Sequence, residues 1–342
     1  MTAQRFLYLL IAALLAISGA VYLSMQRNLP LELHGAPFLP YLAGEMDSVS
    51  ALSILKGGTT PTVTLQKRAG SWTVKERGDF PADVPKLRKL LLALNDAKIV
   101  EEKTADPAKF PLIGVEDPSL PAATGSEISI RAKDGSHTVI IGKPVGDGNF
   151  ARRGGENQSY SIEPAITFEP RPSFWIDNRL IDVAAGAIVS IEIKPAAGPG
   201  YAVHRTGTGD SNFVLDGVPP GRKAVDAAAL APSATTYSGL TAEDVTPAAD
   251  LDFGKPTLAA VTLSNGNVVT LTGALIGDKR WVQIKMSKDE PFNARSAGRA
   301  FELTGYRYDA IFRPLEQLLV PKAPPPGAKK PSHAGSLPAH SS

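Results

Sequence analysis

The feature that most constrains this chain is that it repeats itself. Asp134-Gly135 separates two alternating runs, Glu127–Lys133 (EISIRAK) and His137–Ile141 (HTVII). Asn265-Gly266 separates Ala260–Ser264 (AVTLS) from Val268–Thr272 (VVTLT), 131 residues later. Asp-Gly and Asn-Gly between alternating runs predict hairpins, because these residues accept the positive φ of a tight primed turn. The same spacing of 131 links Gly142 to Gly273, Gly146-Asp147 to Gly277-Asp278, and Phe150 to Trp281. Upstream, Val49–Ile54 resembles Ile188–Ile193, and Gly70–Val74 (GSWTV) resembles Pro199–Val203 (PGYAV). Each unit is expected to end in an aromatic helix-like segment, Pro172–Val183 and Tyr308–Val320. Two units of one design follow, residues 48–184 and 185–320.

Within a unit the order reads strand, strand, strand, helix, strands, helix. Asp83 is placed to cap a helix and Pro85 is tolerated in its first turn. Leu87, Leu90, Leu91 and Leu94 then share one face, away from Lys86, Arg88 and Lys89. The matching helix of the second unit, over 222–231, is richer in alanine and weaker. Short connections imply antiparallel pairing. The expected class is α+β, with two tandem copies of a mostly antiparallel sheet-plus-helix unit. Trp72, Trp175 and Trp281 read as core anchors of these units.

The ends differ from the body. Phe6 to Leu23 is an uncharged run of 18 residues between Arg5 and Arg27. As a helix it would be about 27 Å long, enough to reach across most of a bilayer core. Residues 1–27 are therefore read as a cytoplasmic head and a transmembrane signal anchor, with Phe6, Leu10, Leu14 and Leu23 facing lipid. The competing reading is a signal peptide cleaved after Ala20. Residues 28–47 carry Pro30, Pro37 and Pro40 without a persistent period, and are expected to form a stalk. Residues 321–342 are rich in Pro, Lys and Ser and are expected to be a disordered tail.

Composition narrows the chemistry. There is no cysteine, which excludes disulfides, zinc thiolates, a lipoprotein anchor and thiol catalysis. Lys and Arg number 36 against 34 Asp and Glu, so bulk charge does not point to nucleic acid. The five histidines show no metal-ligand spacing, and no metal or cofactor is expected. Glu101-Glu102, Glu243-Asp244 and Asp289-Glu290 are adjacent carboxylates, which do not converge on one substrate when they lie on a strand. Gly146–Ala151 matches GxGxxA, but strand-like residues on both sides make it a hairpin loop. Arg131, Arg152, Arg153 and Arg171 read as a solvated basic face of the first unit. No catalytic residue is assigned.

Trp72-Thr73-Val74, Phe80–Asp83 and the leucine-rich helix are followed in order by Thr104–Pro107, Ile113–Pro118, Ile141–Lys143 and Phe174–Asp177. With Phe292–Arg295 and the segment to Leu319, this order resembles the bacterial domain-of-unknown-function family numbered 4340. The resemblance implies one membrane span and a repeated exported domain. It also implies partners, since such members are commonly encoded beside ABC transporter subunits and a gliding-motility-type auxiliary protein. The expectation is a non-enzymatic accessory or scaffold protein, single-pass in the bacterial inner membrane with its body in the periplasm. It would contact a permease and auxiliary subunits through exposed sheet edges or an inter-copy groove. The alternatives are an envelope glycan- or lipid-binding module using that groove, and an envelope hydrolase using scattered carboxylates.

Overall fold

The computed structural model describes residues 16–18, 34–120, 122–207 and 213–321. Of the expected anchor only residues 16–18 are described, and they are helical. Phe6, Leu10, Leu14 and Leu23 lie outside the described residues, as does the tail beyond Pro321. No helix among the described residues is long and apolar enough to cross a membrane.

The body is mostly antiparallel β-structure with short helices. The first sheet comprises β1 (Ala51–Leu55), β2 (Val63–Arg68), β3 (Ser71–Val74), β4 (Phe80–Pro81), β5 (Lys98–Glu102), β6 (Ser126–Ala132), β7 (Gly135–Val145), β8 (Gly148–Arg153) and β9 (Ser159–Glu163). Its order is β4-β3-β2-β1-β6-β7-β8-β9-β5. A small pair joins β10 (Arg179–Ile181) to β14 (Leu240–Thr241). The second sheet comprises β11 (Ile188–Lys194), β12 (Tyr201–Arg205), β13 (Phe213–Asp216), β15 (Asp244–Pro247), β16 (Thr257–Leu263), β17 (Val268–Ile276), β18 (Lys279–Met286) and β19 (Arg299–Leu303). Its order is β13-β12-β11-β16-β17-β18-β19-β15. Apart from β4, the two orders correspond strand for strand.

Alternation sets the faces. In β1 the burial pattern alternates, with Leu52 and Ile54 inside; in β6 Ile128 and Ile130 point the same way. Helix α1 (Val84–Asp96) starts at Asp83, whose Oδ1 accepts from Lys86 N at 3.1 Å. It buries the four leucines of its apolar face, Leu87, Leu90, Leu91 and Leu94. The expected helix over 222–231 is instead two single turns, α3 (Ala227–Leu230) and α4 (Pro232–Thr235). Between α1 and α3 falls α2 (Phe110–Ile113); α5 (Glu290–Ser296) and α6 (Gly305–Ile311) follow.

Several expectations are corrected. Two compact units divide between Asn178 and Arg179, with Asp244–Thr246 counted with the first, where the sequence placed a border at 184/185. The reason is that Pro172–Val183 is not one helix-like closure. Pro172–Trp175 forms a 3₁₀ turn that accepts from Asp83 N, whereas Arg179–Ile181 pairs with β14 in the second unit. Residues 34–47 are not a stalk. Gly35 N donates to Ile99 O, Ile99 N to Ala36 O, and Phe38 N to Ala97 O, so this segment lies along the β5 edge. Phe38, Leu39 and Leu42 are fully buried, and that burial decides its place. The other edge of the first sheet is covered too, because Asp177 N donates to Pro81 O. The exposed edges expected of this unit are therefore not there. Finally, Asp134 and Asn265 have negative φ, and the positive values sit on Gly135 (141°) and Gly266 (74°). The hairpins form, but the glycine alone supplies the unusual conformation.

Candidate functional site

The residues singled out in the sequence hold the two sheets rather than one site. Trp72 on β3 is half-buried under Lys67, and Trp281 on β18 is buried beneath Lys279. Trp175 is 1% exposed and its Nε1 donates to Glu169 O. Asn265 Oδ1 accepts from Asn267 N, which closes its turn. The two paired glycines are both points of close approach. A Cβ on Gly142 would stand 2.4 Å from Ile113 O, and one on Gly273 would stand 2.4 Å from the Phe312 ring.

The adjacent carboxylates are taken up one by one in structural contacts, Asp244 by a two-pronged pair with Arg77. Glu101 pairs with Lys103, and Asp289 caps α5 by accepting from Phe292 N. His204 pairs with Asp216, and His34 bonds Val100 O. Gly146-Asp147 joins β7 to β8, and Asn149 Oδ1 accepts from Ile166 N. Among the described residues no group of three or more His, Asp or Glu could hold a metal ion.

Chemistry gathers instead in a cavity of about 600 Å³ within the first unit. Four stretches build it: Pro40-Tyr41 of the N-terminal segment, Asp117 from the connection between β5 and β6, Glu127 with Ser136, His137, Thr138 and Ile140, and Arg152–Glu156. Sheet register explains the last two groups. Glu127, Ile140 and Arg152 are successive partners across β6, β7 and β8 and share one face. The connection over 103–125 folds onto that face. Its Phe110 and Val115 pack with Ile140, and Ile113 and Phe150 border them.

Arg152 is only 9% exposed. Its Nε donates to Val115 O at 2.9 Å and its Nη1 to Glu156 O at 2.8 Å, while the Phe110 ring lies 4.8 Å from Cζ. Burial pulls its guanidinium below the ordinary value, and the charges of Asp117 and Glu127 oppose that shift. Arg153 donates to Phe38 O and pairs with Glu156 at 3.2 Å. Tyr41 stacks on His137 with centroids 3.7 Å apart, and His137 Nε2 lies 2.9 Å from Asp134 Oδ2. The Tyr41 hydroxyl is buried without a hydrogen-bond partner. Burial raises its pKa well above the ordinary phenol, so it stays protonated. Asp117 is held low by Ser119, whose amide donates to it.

Of the four arginines read as a basic face, the structure brings only Arg152 and Arg153 together, and neither is a freely solvated surface residue. Tyr41 was hidden in a segment with no period. Its only sequence signal is an aromatic among prolines.

A second cavity, about 650 Å³, is bounded by His34, Asp96, Lys98, Asp147 and Glu163 at the β5 edge. A third, about 420 Å³, lies over Thr270, Thr272 and Gln283 beside α5.

The fold and these cavities define a duplicated-order, antiparallel β-protein with a polar cavity in its first sheet. A family model, described as domain of unknown function (DUF4340), matches residues 72–257, which is more than half of the chain. The chain belongs to this family. No curated protein and no solved structure matches it.

Proposed function

We propose that this chain is a non-enzymatic accessory or scaffold protein of an ABC-type transport system. It is held by one span in the bacterial inner membrane, with two copies of one α+β unit in the periplasm. The reading rests on the uncharged run Phe6–Leu23, on membership of the family, and on the matching strand orders. The structural observation that carries it is an open row on the second sheet. Ala202, Glu192, Ala260, Thr270 and Lys285 are successive register partners across five strands, and all five are half-exposed or exposed. A row of half-exposed side chains running across five strands does not enclose a small substrate, which takes a concave and mostly apolar site, and it leaves the sheet face open to a protein surface.

The test is recovery from membranes. A C-terminally tagged full chain, extracted in mild detergent, should co-purify with permease and auxiliary subunits, and Ala260→Arg should lower that recovery. Absence of any transporter subunit would overturn the proposal. A hydrolase reading draws less support, because Asp117 is held in its low-pKa form where a general acid needs a raised one.

A further inference from the structure

The cavity of the first unit holds a cation that the protein leaves without an ionic partner. Arg152 spends Nε and Nη1 on two backbone carbonyls, which fix the plane of its guanidinium. Among the described residues no carboxylate lies within 4.0 Å of it and no acceptor takes a bond from Nη2. Arg152 is 9% exposed as a residue, and a guanidinium drawn out of water is costly unless it is paired. Asp117 and Glu127 line the same cavity and act on its charge without touching it. Asp117 accepts from both the amide and the side chain of Ser119, and Glu127 Oε1 accepts from Ser129 Oγ. With the Arg153–Glu156 pair balanced, what remains is one cation facing two carboxylates across open space.

We propose that this cavity binds a small zwitterion, an α-amino acid or short peptide. Its carboxylate would pair with Arg152 and its ammonium would lie against Asp117 and Glu127. A carboxylate supplies charge-assisted bonds to a guanidinium already oriented by its other nitrogens. The ammonium answers the surplus of negative charge, which a simple anion would not. The volume of about 600 Å³ falls in the usual range for small-molecule sites. This inference is independent of the docking reading, since it concerns the other sheet.

The experiment is calorimetric titration of the detergent-solubilised full chain with alanyl-alanine, acetate and ethylamine in parallel. Alanyl-alanine should bind saturably, and acetate and ethylamine should each bind at least roughly tenfold more weakly. Glu127→Gln keeps the shape of its strand position and should weaken dipeptide binding roughly tenfold. Arg152→Lys should abolish binding, with circular dichroism used to check that this variant folds. No saturable binding up to roughly 10 mM dipeptide would overturn the proposal. So would acetate binding as tightly as the dipeptide, or dipeptide binding unchanged in Glu127→Gln.

Discussion

At Gly142 the missing side chain matters more than the backbone angle. A Cβ there would meet Ile113 O at 2.4 Å and Val115 Cγ1 at 2.8 Å, and the carbonyl belongs to backbone that cannot swing aside. Gly142→Ala should therefore cost about 1–3 kcal/mol, the range of overpacked cores. At Gly273 the obstacle is the ring of Phe312, which can pivot, so Gly273→Ala should cost less. Urea midpoints at constant slope measure both, and equal costs would contradict the distinction. Tyr201 makes a second residue-scale case. Burial pushes its phenol up to about 12, and its hydroxyl donates to Arg313 O. A folded value above the unfolded value of about 10 means the stabilisation is intact below pH 10 and is lost as pH rises toward 12. Stability should fall over that window by an amount on the order of 2 kcal/mol. In Tyr201→Phe the fall should be smaller, when urea midpoints are followed between pH 9 and 12.

Elements were legible where a local rule decides them. Helix α1 is the clearest instance, since Asp83, Pro85 and leucines on a 3.6-residue period specify its start and its face without tertiary help. Asp83→Ala should cost about 1 kcal/mol, the usual value of an N-cap, and the loss should show in thermal melts by far-ultraviolet circular dichroism. The segment over 34–47 was illegible for the opposite reason. Phe38, Leu39 and Leu42 follow no period, because they are buried across irregular turns whose path is dictated by the β5 edge. Prolines there signal a chain that avoids regular structure, which a stalk and an edge cover share. Leu39→Ala separates the two. On a solvated stalk it would be neutral, whereas the buried site predicts a loss of about 2–5 kcal/mol in chemical unfolding of the full chain.

Over the whole molecule, the sheets are related more closely than any single spacing suggests. Leu52 corresponds to Ile191 and Leu65 to Val203, but the spacing drops to 131 at Ile130 and Val261, because the connection between β5 and β6 is longer than that between β15 and β16. Beyond the hairpin, His137 faces Ile130 and Val269 faces Val261, a spacing of 132. The glycines matched at 131 are thus one place out of register, and the likeness of Trp72 to Tyr201 joins β3 to β12 rather than to its counterpart β13. The counterpart of Trp72 is Phe213. The longer connection, over 103–125, also gives the cavity Asp117 and the Val115 carbonyl that holds Arg152, and no spacing of residue types could reveal what one copy adds. The correct register makes its own prediction. Lys67 lies opposite Trp72 and 5.3 Å from its ring, and Arg205 lies opposite Phe213 and 4.6 Å from its ring. Double-mutant cycles to alanine should give favourable coupling in both pairs. The exposed Lys67–Trp72 pair should give about 0.5–1 kcal/mol and the better-buried Arg205–Phe213 pair up to about 2 kcal/mol. Coupling in one pair and none in the other would mean that the shared register carries no shared energetics, and the two sheets would then be alike in path alone.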